Sequence, residues 1–249
     1  MDILTLIIIG LINLVVVSSF ALSGGIGLIM RPTMIFFGVP SQITIGTSRV
    51  SAIPGGAIAQ FVLHNSKMID WKLVLFLAPI NVLGGLLGIF VIVSLDDVLL
   101  KQVIGVLLIF AGLTFILNKE IGLKRTKRRL GKLHLLISAP IILILGSLLV
   151  IVGGSGPLSK FLFVFGYGKT YIEAAGIVKA INFWQTLITT FFFIALLLVD
   201  WWLLLVLITT SALGTYIGTK FVLLKGEKYL QVLLILVIFA SAIKLIFFP

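Results

Sequence analysis

The sequence predicts an all-α polytopic membrane protein built from two homologous repeats. Three observations carry that prediction. The 249-residue chain is 60% hydrophobic and only 11% charged, its apolar runs reach membrane-spanning length, and a set of charged and glycine positions recurs once along it. Soluble domains carry roughly a quarter charged residues, so a mean hydropathy of +1.29 excludes a soluble globular fold. The same hydrophobicity excludes a disordered chain. Zero cysteines remove a disulfide scaffold, thiol catalysis and thiolate metal sites.

A helix needs about 20 apolar residues to cross a ~30 Å hydrocarbon core. Runs of that kind cover residues 3–22, 43–63, 73–95, 98–117, 135–152, 174–199, 201–224 and 229–248. The first has no basic residues before it and reads as a retained span rather than a cleaved signal. Two shorter apolar stretches, 28–37 and 158–165, follow glycine clusters and are too short to cross as upright helices. Lipid offers the backbone no hydrogen-bond partners, so all of these are expected to be helical. Trp71, Trp201 and Trp202 lie at span ends, where amphipathic rings sit at the headgroups.

The halves divide as residues 1–118, a basic linker 119–134, and residues 135–249. Gly24, Gly25, Gly27 and Arg31 recur 129 residues later as Gly153, Gly154, Gly156 and Lys160. At an offset of 130, Arg49 meets Lys179, Asp70–Trp71 meets Asp200–Trp201, and Gly84 and Gly88 meet Gly214 and Gly218. Apolar residues align by chance in such a chain; charges, an Asp–Trp pair and two glycine clusters in one order do not. Residues 119–132 hold seven Lys/Arg against one Glu, which assigns the linker to the cytoplasm. Five crossings per half, counting each short stretch, then put Lys169, Lys225 and Lys228 inside and Asp200 outside. The expected architecture is an inverted 5+5 repeat, with 4+4 full spans plus short re-entrant hairpins as the alternative.

The chemistry-bearing residues fall on the same duplicated positions. The cluster Gly24, Gly25, Gly27 and its mate Gly153, Gly154, Ser155, Gly156 interrupt apolar sequence, as a broken helix at a site does; tight helix packing is the other use of such glycines. Pro32 and Pro157 fit a helix starting just past each break. Arg49 and Lys179 each sit about six residues, roughly 9 Å, into a long apolar segment. A basic group at that depth faces a cavity or a partner unless it snorkels to the headgroups. Two at equivalent positions point to a shared positive centre suited to an anion, with Arg31 and Lys160 adding to the field. Thr47, Ser48 and Ser51 near Arg49, and Asn182 and Gln185 near Lys179, offer hydrogen bonds to anion oxygens. Glu173 is expected to pair with Lys169 at the surface.

Catalytic readings find no support. Gly153–Gly154–Ser155–Gly156 has the shape of an intramembrane serine-protease loop, but His64 and His134, the only histidines, both precede Ser155. No catalytic residue, metal site or cofactor is expected. The basic linker needs only a topological role beside membrane lipids, without nucleic acid.

These residues resemble the sulfite exporter TauE/SafE family, the TSUP anion permeases, over the whole chain. The resemblance rests in the first half on Gly24–Pro32, Phe37–Gly38–Val39–Pro40 and Ile45–Gly46–Thr47–Ser48. In the second it rests on Gly153–Pro157, Phe165–Gly166–Tyr167 and Ala175–Gly176–Ile177–Val178. It implies a cell-membrane permease for small anions such as sulfite, sulfoacetate and other organosulfonates, coupled to protons or the membrane potential and working by alternating access. An anion channel or an intramembrane hydrolase are the alternatives. Ile177–Val178 replace the Thr–Ser of the first half, and Arg31 and Lys160 make the site more cationic than the family pattern.

Overall fold

The computed structural model describes residues 2–20, 25–65, 69–116, 132–153 and 156–225, with residues 243 and 245. Among these residues all regular structure is helical. The helices are α1 (Ile3–Phe20), α2 (Ile26–Phe36), α3 (Ser41–Asn65), α4 (Trp71–Ser94), α5 (Asp97–Ile116), α6 (Lys132–Val152), α7 (Gly156–Phe161), α8 (Tyr171–Ala195) and α9 (Trp201–Lys225). A π-helical turn, Leu162–Gly166, extends α7. The expected last span, 229–248, and most of the basic linker lie outside the described residues.

Three of these helices are long and apolar enough to cross a membrane within the described residues: Trp71–Ser94, Tyr171–Ala195 and the stretch Trp201–Gly218 of α9. Their outer faces carry bare apolar side chains, with Leu75 at 70%, Phe90 at 73% and Phe191 at 70% exposure. Water would not tolerate that belt; lipid does.

Helix starts are set by local hydrogen bonding to the first unpaired N–H groups. Asp70 caps α4 through Leu73 N at 3.5 Å, and Asp200 caps α9 through Leu203 N at 3.0 Å. Each recurring Asp–Trp pair is therefore a cap followed by the first residue of a helix. Thr170 and Glu173 close a capping box on α8, with Glu173 Oε2 accepting from Thr170 N at 2.9 Å. Lys169, expected to pair with Glu173, forms an ion pair of 2.6 Å with Asp70. Pro32 lies inside α2, whose first residue is Ile26, so the helix begins well before the proline rather than just beyond the break.

Packing crosses between the halves. α4 lies along α6, and α1 lies along α9. A Cβ at Gly84 would stand 2.0 Å from Leu143 O, and one at Gly218 2.1 Å from Ser18 O, so glycine is required where the backbones meet. α3 and α8 touch each other, and each also packs on the other half's fourth helix, α9 and α4 respectively.

Candidate functional site

Within this crossing bundle, a cavity of about 170 Å³ opens between α1, α2, α3, α6, α7, α8 and α9. Four cationic side chains line it: Arg31, Arg49, Lys160 and Lys179. Among the described lining residues none is acidic. The remaining polar lining comes from Asn13, Ser48, Ser51, Asn182, Thr186, Ser211 and Thr215.

Arg49 and Lys179 are each the ninth residue of a 25-residue helix, α3 and α8. That is about 12 Å from the helix start at 1.5 Å per residue, deeper than the apolar run suggested, because Ser41 and Gln42 extend α3 backward. The Gln42 side chain is used at the helix end, its Nε2 donating to Ile92 O and Leu95 O at 3.0 and 3.2 Å.

The Arg49 guanidinium spans from the first half to the second. Nη2 donates to Gln185 Oε1 at 2.7 Å and Nη1 to Thr186 Oγ1 at 3.2 Å. Nε is buried with no hydrogen-bond partner among the described residues. Gln185 is 0% exposed and stands behind Arg49 rather than on the cavity wall. Its Nε2 donates to Asn81 O and Asn81 Oδ1, both at 2.7 Å, and to Gly146 O at 3.0 Å. Three acceptors around one nitrogen fix the amide orientation, leaving Oε1 for Arg49. Asn81 in turn donates to Asn182 Oδ1 at 3.0 Å.

Arg31 is 2% exposed. Its Nη1 donates to Val150 O at 2.6 Å and its Nε to Ser48 Oγ at 3.3 Å. Val150 O belongs to the last turn of α6, where carbonyls lack helical partners and the dipole favours a cation. Gly153, with φ +79°, ends that helix beneath the guanidinium. A Cβ on Gly27 would lie 2.7 Å from Gly153 Cα, so these two glycines serve close backbone approach, one break against the other. Lys160, also 2% exposed, donates to Tyr171 Oη at 3.0 Å, with Nζ 4.5 Å from the ring centroid.

The structure thus brings Gly27, Arg31, Ser48, Arg49, Gly153, Gly156, Lys160, Lys179 and Asn182 to one cavity. Gly25 precedes α2 without lining the cavity, and Thr47 turns away to accept a hydrogen bond from Asp200 N at 3.0 Å. Gly24, Gly154 and Ser155 lie outside the described residues. Sequence reasoning missed Asn13, whose Nδ2 donates to Thr210 Oγ1 at 2.8 Å and Ser211 Oγ at 2.9 Å, and missed Asn81. The available signal was an amide alone in an apolar helix.

The family model for the sulfite exporter TauE/SafE matches residues 6–245. The chain belongs to that family. It is similar to a "Probable membrane transporter protein" of Haemophilus influenzae, 26% identical over 234 residues that cover 93% of this chain and 91% of the relative. It is likewise similar to "Probable membrane transporter protein ORF9" of a Sinorhizobium species, at 26% identity over 92% of this chain and 87% of the relative. "Probable membrane transporter protein YfcA" of Escherichia coli K12 is 23% identical over 91% of this chain and 84% of its own length. No solved structure matches the chain. This TauE/SafE protein is therefore a multi-pass membrane protein of a transporter family, and the cavity is where its buried charge is concentrated.

Proposed function

We propose that this TauE/SafE protein is a secondary transporter of small anions, working by alternating access around the Arg49–Lys179 cavity. Sulfur oxyanions and small organosulfonates, such as sulfite or sulfoacetate, are its substrate class. The observation that carries this reading is the convergence of four cations, two from each half, on one cavity with no acidic side chain in its described lining. Isolated basic groups within a span are costly and are kept for a partner or a pathway. A cavity near 150 Å³ holds a benzene-sized molecule, so 170 Å³ suits a solute of that order.

The inverted 5+5 architecture belongs to the same proposal. Four crossings per half would leave Asp70 cytoplasmic and Lys169 external, whereas five per half put both in the cytoplasm, and their 2.6 Å ion pair supports five. The Thr47–Asp200 contact supports it in the same way at the opposite face. α2 and the α7–π segment Gly156–Gly166 each have 11 residues, about 16 Å of helix. Each completes its crossing with the glycine break beside it, sheltered by protein. Repetition is supported by packing: Gly84 meets Leu143 as Gly214 meets Leu14, and Gly88 meets Ser147 as Gly218 meets Ser18.

The test is anion flux in proteoliposomes with Arg49→Gln and Lys179→Gln, singly and together. The double variant is expected to abolish uptake and efflux of sulfite and sulfoacetate. Unchanged flux at equal incorporation would remove both residues from the mechanism.

A further inference from the structure

We infer that the carrier is an obligatory anion exchanger, its site passing between the two sides of the membrane only when loaded. The inference rests on the anion-transport reading and adds its mode of coupling. Arg31 and Arg49 are 2% and 5% exposed. Among the described residues their hydrogen bonds go to neutral acceptors: Val150 O and Ser48 Oγ for the first, Gln185 Oε1 and Thr186 Oγ1 for the second. Arg49 Nε has no acceptor among the described residues.

A buried lysine escapes its desolvation penalty by releasing a proton, but a guanidinium keeps its charge. The site cannot neutralise itself by deprotonating its arginines. No carboxylate stands among the described lining residues to swing in as a substitute counter-charge. Both arginines also reach from the first half to carbonyl or hydroxyl groups of the second, Val150 on α6 and Thr186 on α8. Any movement of one half against the other therefore takes the buried guanidiniums through a state in which these acceptors are lost. An uncompensated charge in that state is penalised heavily. A bound anion cancels the charge and supplies Arg49 Nε with its missing acceptor, so the loaded site crosses and the unloaded one stays on its side. Export of one small anion then requires return with another.

The test uses the full chain in proteoliposomes loaded with radiolabelled sulfite, with the membrane potential clamped by potassium and valinomycin. Efflux is measured into potassium gluconate, whose anion is far too large for the cavity, and into unlabelled sulfite. The expected ratio of exchange to net efflux is about ten or more, a rate factor set by the barrier to the unloaded return. Arg31→Gln keeps a donor for Val150 O but removes the charge, and is expected to bring the ratio toward one by speeding net efflux. Arg31→Lys, which keeps a donor but can shed its charge as a proton, is the second variant should the first fail to fold, with the same fall in the ratio expected. Equal efflux into both media overturns the exchange mechanism while leaving anion transport standing. A ratio that neither variant moves overturns its assignment to the buried charge. Absence of flux in both media, for sulfite, sulfate and sulfoacetate loads alike, overturns the transport reading and this one with it.

Discussion

Replacing Gln185 with leucine removes an amide that makes four hydrogen bonds while nearly conserving side-chain volume. The three carbonyl acceptors of its Nε2 are unequal. Asn81 O and Gly146 O sit inside helices and keep their backbone partners, so losing the side-chain donor costs each about 0.5 kcal/mol, the low end for a hydrogen bond. The Arg49 Nη2 bond at 2.7 Å is charge-assisted and buried, and its loss costs about 2 kcal/mol. Adding about 1 kcal/mol for Asn81 Oδ1, which loses its 2.7 Å donor, the expected destabilisation is about 4 kcal/mol in all. If the 2 kcal/mol share falls on the bound geometry of Arg49, anion affinity drops by roughly 30-fold. Thr186→Val, which removes the 3.2 Å partner of Nη1 and the hydroxyl's own 2.8 Å bond to Asn182 O, is expected to lower affinity by about fivefold, near 1 kcal/mol. Sulfite titration of purified protein, followed by tryptophan fluorescence, reads the affinity, because Trp184 packs edge-on against Phe183 of the cavity wall at 6.4 Å. Thermal unfolding reads the stability. A Gln185→Leu protein that loses stability but binds sulfite within about twofold of the parent would refute the positioning role and leave Gln185 as helix glue.

Gly84→Ala and Gly218→Ala each force a Cβ onto a facing backbone oxygen, so each should lower stability by about 1–3 kcal/mol or more in detergent unfolding. Gly38→Ala, which meets nothing within 4 Å but sits at φ +84°, should cost only about 1 kcal/mol through backbone strain. Asn13→Leu should loosen α1 from α9 by about 0.6–1.7 kcal/mol, seen as earlier thermal unfolding. Burial alone would raise the Asp70 carboxyl, but the Lys169 ammonium and the Leu73 and Lys72 backbone N–H groups outweigh it and hold the group below its ordinary value. Its contribution is therefore complete above the ordinary carboxylate range and is lost as the pH falls through the depressed value. Asp70→Asn should remove that acid-side loss, an effect under about 1 kcal/mol for a partly exposed pair, read from unfolding curves at graded acidity.

Much of this was legible in the chain because burial in lipid demands long apolar runs, and seven of the eight expected full spans coincide with helices of the described residues. Helix ends were less legible. Ser41 and Gln42 read as loop by polarity, yet Asp97 Oδ1 takes the Ser41 N–H at 2.8 Å and the chain stays helical. Arg49 and Lys179 were found because a charge in an apolar run is rare and theirs is duplicated. Thr47 and Ser48 read as one cluster by adjacency, but neighbours on a helix point about 100° apart. One faces the cavity and the other the α8–α9 turn. Gln185 was visible as a polar residue; that it holds Arg49 was not, since its other partners lie 104 and 39 positions away.

The pairing of α1 with α9 has a consequence for biogenesis. Asn13 and its partner Ser211 are separated by 198 positions. At about 5–20 residues per second, the ribosome delivers that partner roughly ten to forty seconds after Asn13 enters the bilayer. Through that interval α1 holds an unmatched amide in hydrocarbon, and α4 likewise waits for α6. The two halves of the polypeptide pack on each other through these pairs, so a nascent chain stalled at the linker leaves the packed faces of α1 and α4 without their partners.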